Sequence, residues 1–184
     1  EVFLHCFTKN LQSIRTASRF DDFVFDIAQL EFDIGFLTET WRPDVEEQIL
    51  LDSGASFYAS GGAADGHKSV GVILHRKFAA QVRSVTFQAI SSRLCFLDFI
   101  YLEKKFRCFA IYFPTSWDPE PDVLGLYNVA SLLADDARAQ GRSCIFGGDF
   151  NARVGALSVV DDPSVGEFGE GFRNARGQLF VDWI

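Results

Sequence analysis

The segment Ile145-Phe-Gly-Gly-Asp149-Phe-Asn151-Ala decides how the rest of this chain is interpreted. Apolar residues 144–146 predict a buried strand, and the two glycines that follow let the backbone turn and let another group come close. Residues two apart in an extended segment point the same way. Asp149 and Asn151 should therefore project together from the carboxyl end of a core strand.

An aspartate and an asparagine in this arrangement suit a hard divalent cation and a phosphate. The Asp oxygen can ligate a metal or hold a water, and the Asn amide can donate to an oxyanion. The alternative is a loop that uses Asp and Asn only for turn chemistry. Because short motifs also match by chance, this segment alone leaves both interpretations open.

Other predicted strands also end in polar side chains. An apolar run near the start ends at Asn10, and a second strand leads to Glu39. A third run, residues 108–113, carries Tyr112 before a proline. Strand ends are one kind of place where folds assemble a site from distant sequence. We therefore expect one pocket to contain Asn10, Glu39, Tyr112, Asp149 and Asn151.

These residues, taken together, resemble one known family. The chain is similar to the endonuclease/exonuclease/phosphatase superfamily, the fold of deoxyribonuclease I and abasic-site endonucleases. Within it the chain most resembles the endonuclease domains of non-LTR (LINE-type) retrotransposons and the craniofacial-development-type proteins. The resemblance is carried by Asn10 with Leu11 and Arg15, Leu37-Thr-Glu39-Thr-Trp41, Ala110-Ile-Tyr112-Phe-Pro114, and Gly147-Gly-Asp149-Phe-Asn151-Ala-Arg153-Val-Gly155.

The resemblance implies a particular α/β architecture. It is a four-layer α-β-β-α sandwich of the deoxyribonuclease I type, with the site at one end and residues 1–184 forming a single domain. Hydrophobic pattern alone allows other α/β folds. The pattern predicts strands at residues 2–7, 34–37, 56–59, 70–75, 82–87, 94–101, 106–113 and 143–148. It predicts helices at 20–31, 44–51, 121–139 and 175–184.

The resemblance also implies roles for the site residues. Glu39, Asn10 and Asp149 would hold Mg²⁺ or Mn²⁺, and Asp149 would orient the attacking water. Asn151 and Tyr112 would donate hydrogen bonds to the phosphoryl oxygens, with Arg153 and Arg15 as substrate-binding groups. Each residue also has an ordinary structural interpretation. Tyr112 can be a core aromatic, Glu39 can cap a loop, and Asn10 can simply end a strand.

The implied activity is metal-dependent phosphodiester hydrolysis, most specifically a DNA endonuclease of the retrotransposon type. DNA would be the substrate, and a reverse transcriptase domain could follow in the same parent chain. One alternative is a phosphomonoesterase or lipid phosphodiesterase on the same fold, because these enzymes share the Glu and the Gly-Asp-x-Asn motif. Another is a binding module that kept the scaffold and lost catalysis.

Members of this family continue with further strands, an Ile-Asp-Tyr-like segment and a terminal Ser-Asp-His-like motif. No such motif precedes Ile184, and none of His5, His67 and His75 has a matching context. We therefore expect a fragment that lacks its last strands and is inactive alone. We expect the natural polypeptide, with its C-terminal part, to nick DNA.

Composition favours a globular core. Hydrophobic residues make up 48% of the 184, and phenylalanine occurs 20 times. No apolar run is long enough to span a bilayer, so we expect no membrane association. The four cysteines lie in apolar runs and match no zinc template. We interpret them as reduced core residues, which favours an intracellular location, with the nucleus one option.

Charge and one glycine-rich loop are less informative. A net charge of −8 argues against a strong generic nucleic-acid binder, which would be basic. The loop at residues 61–68 is rich in glycine and could be mistaken for a phosphate cradle. It leads into a strand and lacks the Gly-Lys-Ser/Thr ending, so we interpret it as a surface loop.

Overall fold

A computed structural model of the chain describes residues 2–62, 68–115, 117–156, 165–166, 169 and 171–184. The predicted loop at 61–68 therefore falls largely outside the described residues. Nine strands and four helices lie within the described part. The strands are β1 (Cys6–Asn10), β2 (Ile34–Thr38), β3 (Glu46–Leu50), β4 (Ser56–Ser60), β5 (Val70–Leu74), β6 (Arg83–Ser91), β7 (Leu94–Tyr101), β8 (Lys104–Tyr112) and β9 (Arg142–Asp149). The helices are α1 (Ala17–Ala28), α2 (Arg76–Ala79), α3 (Glu120–Ala139) and α4 (Ala175–Trp183).

The strands form two mixed sheets. The first has the order β1-β2-β5-β4-β3, and the second has the order β6-β7-β8-β9. Each sheet contains one parallel pair, β1 with β2 and β8 with β9, while its other pairs are antiparallel. The parallel pairs bring the carboxyl ends of their two strands to the same edge.

The chain divides into two compact units. The first runs up to Tyr112 and includes Ala130–Asp149, and the second comprises Phe113–Val129 and the residues from Phe150 onwards. Both sheets and α1 lie in the first unit, whereas α4 lies in the second. The single domain and the missing last strands stay predictions.

The first unit has the four layers expected from the sequence. Phe36 and Val72 of the first sheet share one buried core with Leu97 and Cys108 of the second, among other residues. On the outer face of the first sheet, α1 packs through Phe23 and other residues. The predicted α/β sandwich is therefore confirmed.

The fourth layer is the part of α3 that belongs to the first unit. Ala130, Ala134 and Ala137 are buried there. Such small side chains let a helix approach a sheet closely. The thiol of Cys144 on β9 donates to the carbonyl of Ala134 at 3.7 Å. No helix in the described residues is long and apolar enough to cross a membrane.

A buried ion-pair network lies beneath this helix. Arg107 on β8 donates from Nε and Nη2 to the two oxygens of Asp98 on β7, at 2.7 and 2.9 Å. Its Nη1 reaches the carbonyl of Leu133 and the carboxylate of Asp136. Arg142 on β9 adds a second cation to Asp98 at 3.2 Å. The network therefore links three strands to the helix.

The structure corrects several details of the sequence-based assignment. Residues 44–51 were expected to be helical, but Glu46–Leu50 is an edge strand paired with β4. Its alternating exposed and half-buried residues follow the two-residue period of a strand. The short helix α2 was not expected. Not all cysteines are core residues, because Cys6 is exposed and Cys144 is only half-buried.

Replacing Asp98 with alanine should destabilise the protein by about 3 kcal/mol, because it leaves the buried guanidinium of Arg107 with Asp136 as its remaining carboxylate partner. Urea unfolding followed by circular dichroism measures the loss. Asp135→Ala is the matched control, since it removes an exposed ion pair with Arg138 and should change stability by less than about 1 kcal/mol. Equal losses of unfolding free energy in the two variants would show that the buried network stabilises the protein no more than an exposed ion pair does.

Candidate functional site

The side chains of Asn10 and Glu39 meet where β1 and β2 end. Nδ2 of Asn10 donates to Oε1 of Glu39 at 2.7 Å. The other end of the Asn10 carboxamide accepts from the N–H of Gln12 at 3.1 Å. Both ends of this amide are thus engaged, which fixes the position of the Glu39 carboxylate.

The backbone around Glu39 is strained and firmly held. Glu39 has φ +52°, in the left-handed region that non-glycine residues rarely adopt. Hydrogen bonds between the two segments continue past the ends of β1 and β2. The N–H of Ser13 donates to the carbonyl of Glu39, and the N–H of Ile14 donates to the carbonyl of Thr40. Thr40 also bonds to Ser69 through both its N–H and its hydroxyl. Strain maintained by its surroundings in this way is common at functional sites.

Tyr112, the last residue of β8, reaches the same carboxylate. Its hydroxyl donates to Oε1 of Glu39 at 3.3 Å. Burial raises the pKa of the Tyr112 phenol, and the nearby carboxylates of Glu39 and Asp149 raise it further, while Arg93 opposes them. The phenol therefore stays protonated at neutral pH and remains a hydrogen-bond donor.

Asp149 ends β9 directly beside Tyr112. The two residues are partners in the parallel β8–β9 register. Gly147 and Gly148 precede Asp149 because the space around them admits no side chain. A Cβ on Gly147 would lie 2.2 Å from the ring of Phe36, and one on Gly148 would lie 1.9 Å from the carbonyl oxygen of Ile111. The glycine pair thus lets the end of β9 approach both neighbours.

Asn151 lies in the second unit, two residues after Asp149. Its Nδ2 donates to the carbonyl of Phe113 at 2.8 Å. Its backbone has φ +47°, a conformation that asparagine tolerates better than most residues. Asn151 thus has a fixed carboxamide, like Asn10.

The two candidate substrate-binding arginines are both exposed. Arg15 lies in the loop between β1 and α1, where its backbone N–H donates to the hydroxyl of Ser13 at 3.3 Å. Arg153 lies in the second unit, and its guanidinium stacks on the ring of Phe172.

Arg93 is a site residue that the sequence-based hypothesis did not select. Its Cζ lies 5.3 Å from the centroid of the Tyr112 ring, and its Nη1 donates to the Tyr112 carbonyl at 3.3 Å. A signal was present in the sequence. The tight turn at Leu102 and Glu103 fixes the register of β7 against β8, and extending that register places Arg93 opposite Tyr112. Arg93 brings positive charge beside the two carboxylates.

The oxygen donors in the first unit fit a hard divalent cation. Glu39 and Asp149 both act electrostatically on the same phenol, so the two carboxylates lie near each other. Mg²⁺ is often bound by one or two carboxylates together with waters and substrate phosphates. In the described residues there is no group of three or more His, Cys, Asp or Glu side chains that could form a metal cage. Carboxylate oxygens are hard donors, so Glu39 and Asp149 fit a hard divalent cation.

Substituting Glu39 with glutamine should lower the pKa of Tyr112 without restoring the ordinary value of about 10, because burial remains the largest cause of the shift. Titration of ¹³C-labelled tyrosine by NMR, with Tyr112→Phe to assign the signal, measures this pKa. Tyr58 is the internal control, since burial raises its pKa and Glu39 does not act on it. An unchanged Tyr112 titration would contradict the contact between the phenol and Glu39.

Three solved structures share this fold at low sequence identity. The endonuclease domain of TRAS1, a telomere-specific non-LTR retrotransposon, is 15% identical with a TM-score of 0.59, over 98% of this chain and 69% of that one. TDP2 of D. rerio with 14 humanizing mutations is 15% identical with a TM-score of 0.54, over 80% of this chain and 62% of that one. A variant of the 3′ phosphatase NExo from Neisseria, bound to a product DNA hairpin, is 14% identical with a TM-score of 0.56, over 88% of this chain and 63% of that one.

These similarities concern the fold, and the chain spans about two thirds of the length of these structures. No protein of curated function shows significant sequence similarity to it. Residues 7–178 match the Endonuclease/Exonuclease/phosphatase family. That match contains all the candidate site residues. The chain belongs to the Endonuclease/Exonuclease/phosphatase family.

Proposed function

We propose that this domain cuts DNA by metal-dependent hydrolysis of a phosphodiester, as an endonuclease of the retrotransposon type. Phosphate-ester hydrolysis is the chemistry of the family to which the chain belongs. One observation carries the proposal beyond that: the carboxylate of Glu39 is held by Asn10 and Tyr112, and Asp149 lies beside Tyr112. This arrangement can bind a cation and orient a water.

Glu39 and Asp149 are the residues that would hold Mg²⁺ or Mn²⁺. When bound, the ion polarises a nonbridging phosphate oxygen and stabilises the developing charge. Asn10 donates to one oxygen of Glu39, and its own oxygen is engaged by Gln12, so we assign it to positioning Glu39 rather than to direct ligation. This refines the metal-ligand role that the sequence suggested for Asn10.

The remaining residues act on the water and on the phosphate. Asp149 accepts a proton from the attacking water, and Asn151 donates from its amide to a phosphoryl oxygen. The single O–H of Tyr112, which burial keeps protonated by raising its pKa, would do the same after turning from Glu39 to the phosphate. Arg93 and Arg153 supply positive charge to the flanking phosphates.

DNA is the proposed substrate for two reasons. The TRAS1 domain, named as an endonuclease, shares this fold over 98% of the chain, and the Neisseria enzyme was solved with DNA. A natural parent polypeptide could carry a reverse transcriptase and act in the nucleus. Nicking of supercoiled plasmid and release of phosphate from inositol phosphates separate the DNA endonuclease from a phosphomonoesterase on the same fold. Binding without either activity would indicate a module that has lost catalysis.

Mg²⁺ or Mn²⁺ should bind to the protein through Glu39, and the affinity should fall about tenfold or more in Glu39→Gln, because a negatively charged oxygen ligand is lost. Isothermal titration calorimetry with each metal measures the affinity directly. Glu31→Gln is the matched control, since Glu31 is exposed and its carboxylate forms an ion pair with Lys77. Equal affinity in the two variants would move the metal site elsewhere.

Asp149→Asn should reduce metal-dependent nicking by about a thousandfold or more, because it removes a negative ligand and the proposed base while preserving the shape. The assay is plasmid nicking by the natural polypeptide that contains these residues, with and without EDTA. Asp135→Asn, at an exposed ion pair on α3, should leave nicking unchanged. Full activity in Asp149→Asn would show that the chemistry is assigned to the wrong residue.

A further inference from the structure

Within the second unit, two segments brace each other beside the start of α4. The N–H of Asn174 donates to the carbonyl of Arg153 at 3.0 Å, and the N–H of Arg153 donates to Oδ1 of Asn174 at 3.1 Å. The same Oδ1 accepts from the N–H of Gly177 at 2.7 Å and so caps the helix. These bonds fix the backbone at Arg153 and just after Phe172.

The side chains of Arg153 and Phe172 form a stacked pair on the surface of this unit. The guanidinium carbon of Arg153 lies 5.0 Å from the centroid of the Phe172 ring. Phe172 is 69% exposed, although it is a large apolar side chain. Arg153 is exposed and forms no ion pair with any described carboxylate. The pair thus presents a solvent-open aromatic ring beside a cation that has no carboxylate partner among the described residues.

Two other arginine–aromatic pairs show how this one differs. Arg42 stacks on Phe20 and is neutralised by Glu47, and Arg107 stacks on Phe96 and is neutralised by Asp98. Both of those arginines have structural roles that account for them. Within the chain as described, Arg153 has no carboxylate partner, and its ring partner remains open to solvent.

We propose that Arg153 and Phe172 form a platform on which an unpaired base of a nucleic-acid strand stacks. Aromatic rings and arginine planes bind unstacked bases of any sequence, and a nearby cation is attracted to the adjacent phosphates. This inference rests on the proposed function for its choice of a nucleic acid. It adds that the substrate presents a single-stranded or unstacked base to this unit.

A second exposed aromatic lies close to the same helix start. Trp117 is 95% exposed and directly precedes Asp118, whose carboxylate accepts from the N–H of Thr115. The carbonyl of Asp118 accepts from Nη2 of Arg176 in the first turn of α4 at 3.3 Å. Trp117 is therefore held near the start of α4, the helix that follows Phe172, and is a second exposed ring of this unit.

The test uses short single-stranded DNA with 2-aminopurine at one position, in EDTA so that no cleavage occurs. Stacking quenches the fluorescence of 2-aminopurine, and titration gives the affinity. The wild-type protein should bind this DNA more tightly than the same backbone with an abasic spacer at that position. Phe172→Ala should weaken binding about five- to a hundredfold, the range typical of base–aromatic stacking, and should abolish the preference over the abasic strand.

Matched variants distinguish base stacking from nonspecific binding to an exposed aromatic side chain. Phe25→Ala removes a phenylalanine that is 68% exposed on α1 and should leave the affinity unchanged. Phe172→Trp should retain the quenching and the preference for a base. Arg153→Lys keeps the charge but loses the planar stack, so it should reduce the base preference more than the affinity for the abasic strand. Equal effects of Phe172→Ala and Phe25→Ala, or no effect of Phe172→Ala, would overturn the platform. The second result would leave Phe172 as a contact for another protein.

The outcome is distinguishable from failure of the proposed function. Base-dependent binding without metal-dependent nicking would retain the platform and reject the endonuclease assignment. Nicking that is lost in Asp149→Asn, together with binding that ignores the base at the Phe172 platform, would retain the endonuclease and reject the platform.

Discussion

The placement of Glu39 depends on the parallel pairing of β1 and β2, which continues past the ends of both strands. The N–H groups of Ser13 and Ile14 donate to the carbonyls of Glu39 and Thr40. These bonds hold Glu39 in a left-handed conformation. For a residue with a Cβ this conformation costs of order 1–3 kcal/mol. These hydrogen bonds between the two segments hold the backbone of Glu39 in place, and the bond from Asn10 fixes its side chain. Without that constraint the carboxylate would have no defined direction.

The same principle operates in the second sheet. Tyr112 and Asp149 end a parallel pair, and their register sets the distance between phenol and carboxylate. Glu39 then bridges the sheets by accepting from Tyr112 across the inter-sheet core. The ring of Tyr112 belongs to the buried inter-sheet core, while its hydroxyl reaches the carboxylate of Glu39 at the end of the sandwich.

The sequence was sufficient for the architecture, and it located the strand ends where the candidate site residues lie, because both depend on local patterns. Apolar runs ending in Asn10, Glu39, Tyr112 and Asp149 are readable without a structure, and the resemblance selected one fold among several. The expected helix at residues 44–51 was wrong because an acidic segment after a proline also suits an exposed edge strand, and pairing with β4 decided the outcome. Tertiary pairing of this kind overrides local propensity.

Other features could not be derived from local pattern. The left-handed backbone of Glu39 is held by hydrogen bonds from Ser13 and Ile14 in a distant loop, and nothing within residues 34–41 indicates it. The amide orientation of Asn10, on which we base its proposed positioning role, depends on Gln12 in the folded loop. The position of Arg93 opposite Tyr112 could be predicted from the register of the β7–β8 hairpin. That prediction requires the exact boundaries of both strands.

The acidic net charge and the proposed substrate are compatible when the pairing of the arginines is considered. Arg42, Arg83, Arg107, Arg138 and Arg142 all form ion pairs with carboxylates of the chain itself. These arginines therefore contribute little positive potential to a polyanion. Arg15 and Arg153 form no such pair with any described residue and are exposed. If the domain binds nucleic acid as proposed, the five ion-paired arginines add few phosphate contacts, and the salt dependence of binding should be correspondingly shallow. The proposed metal site and the proposed stacking on Phe172 would then supply part of the affinity.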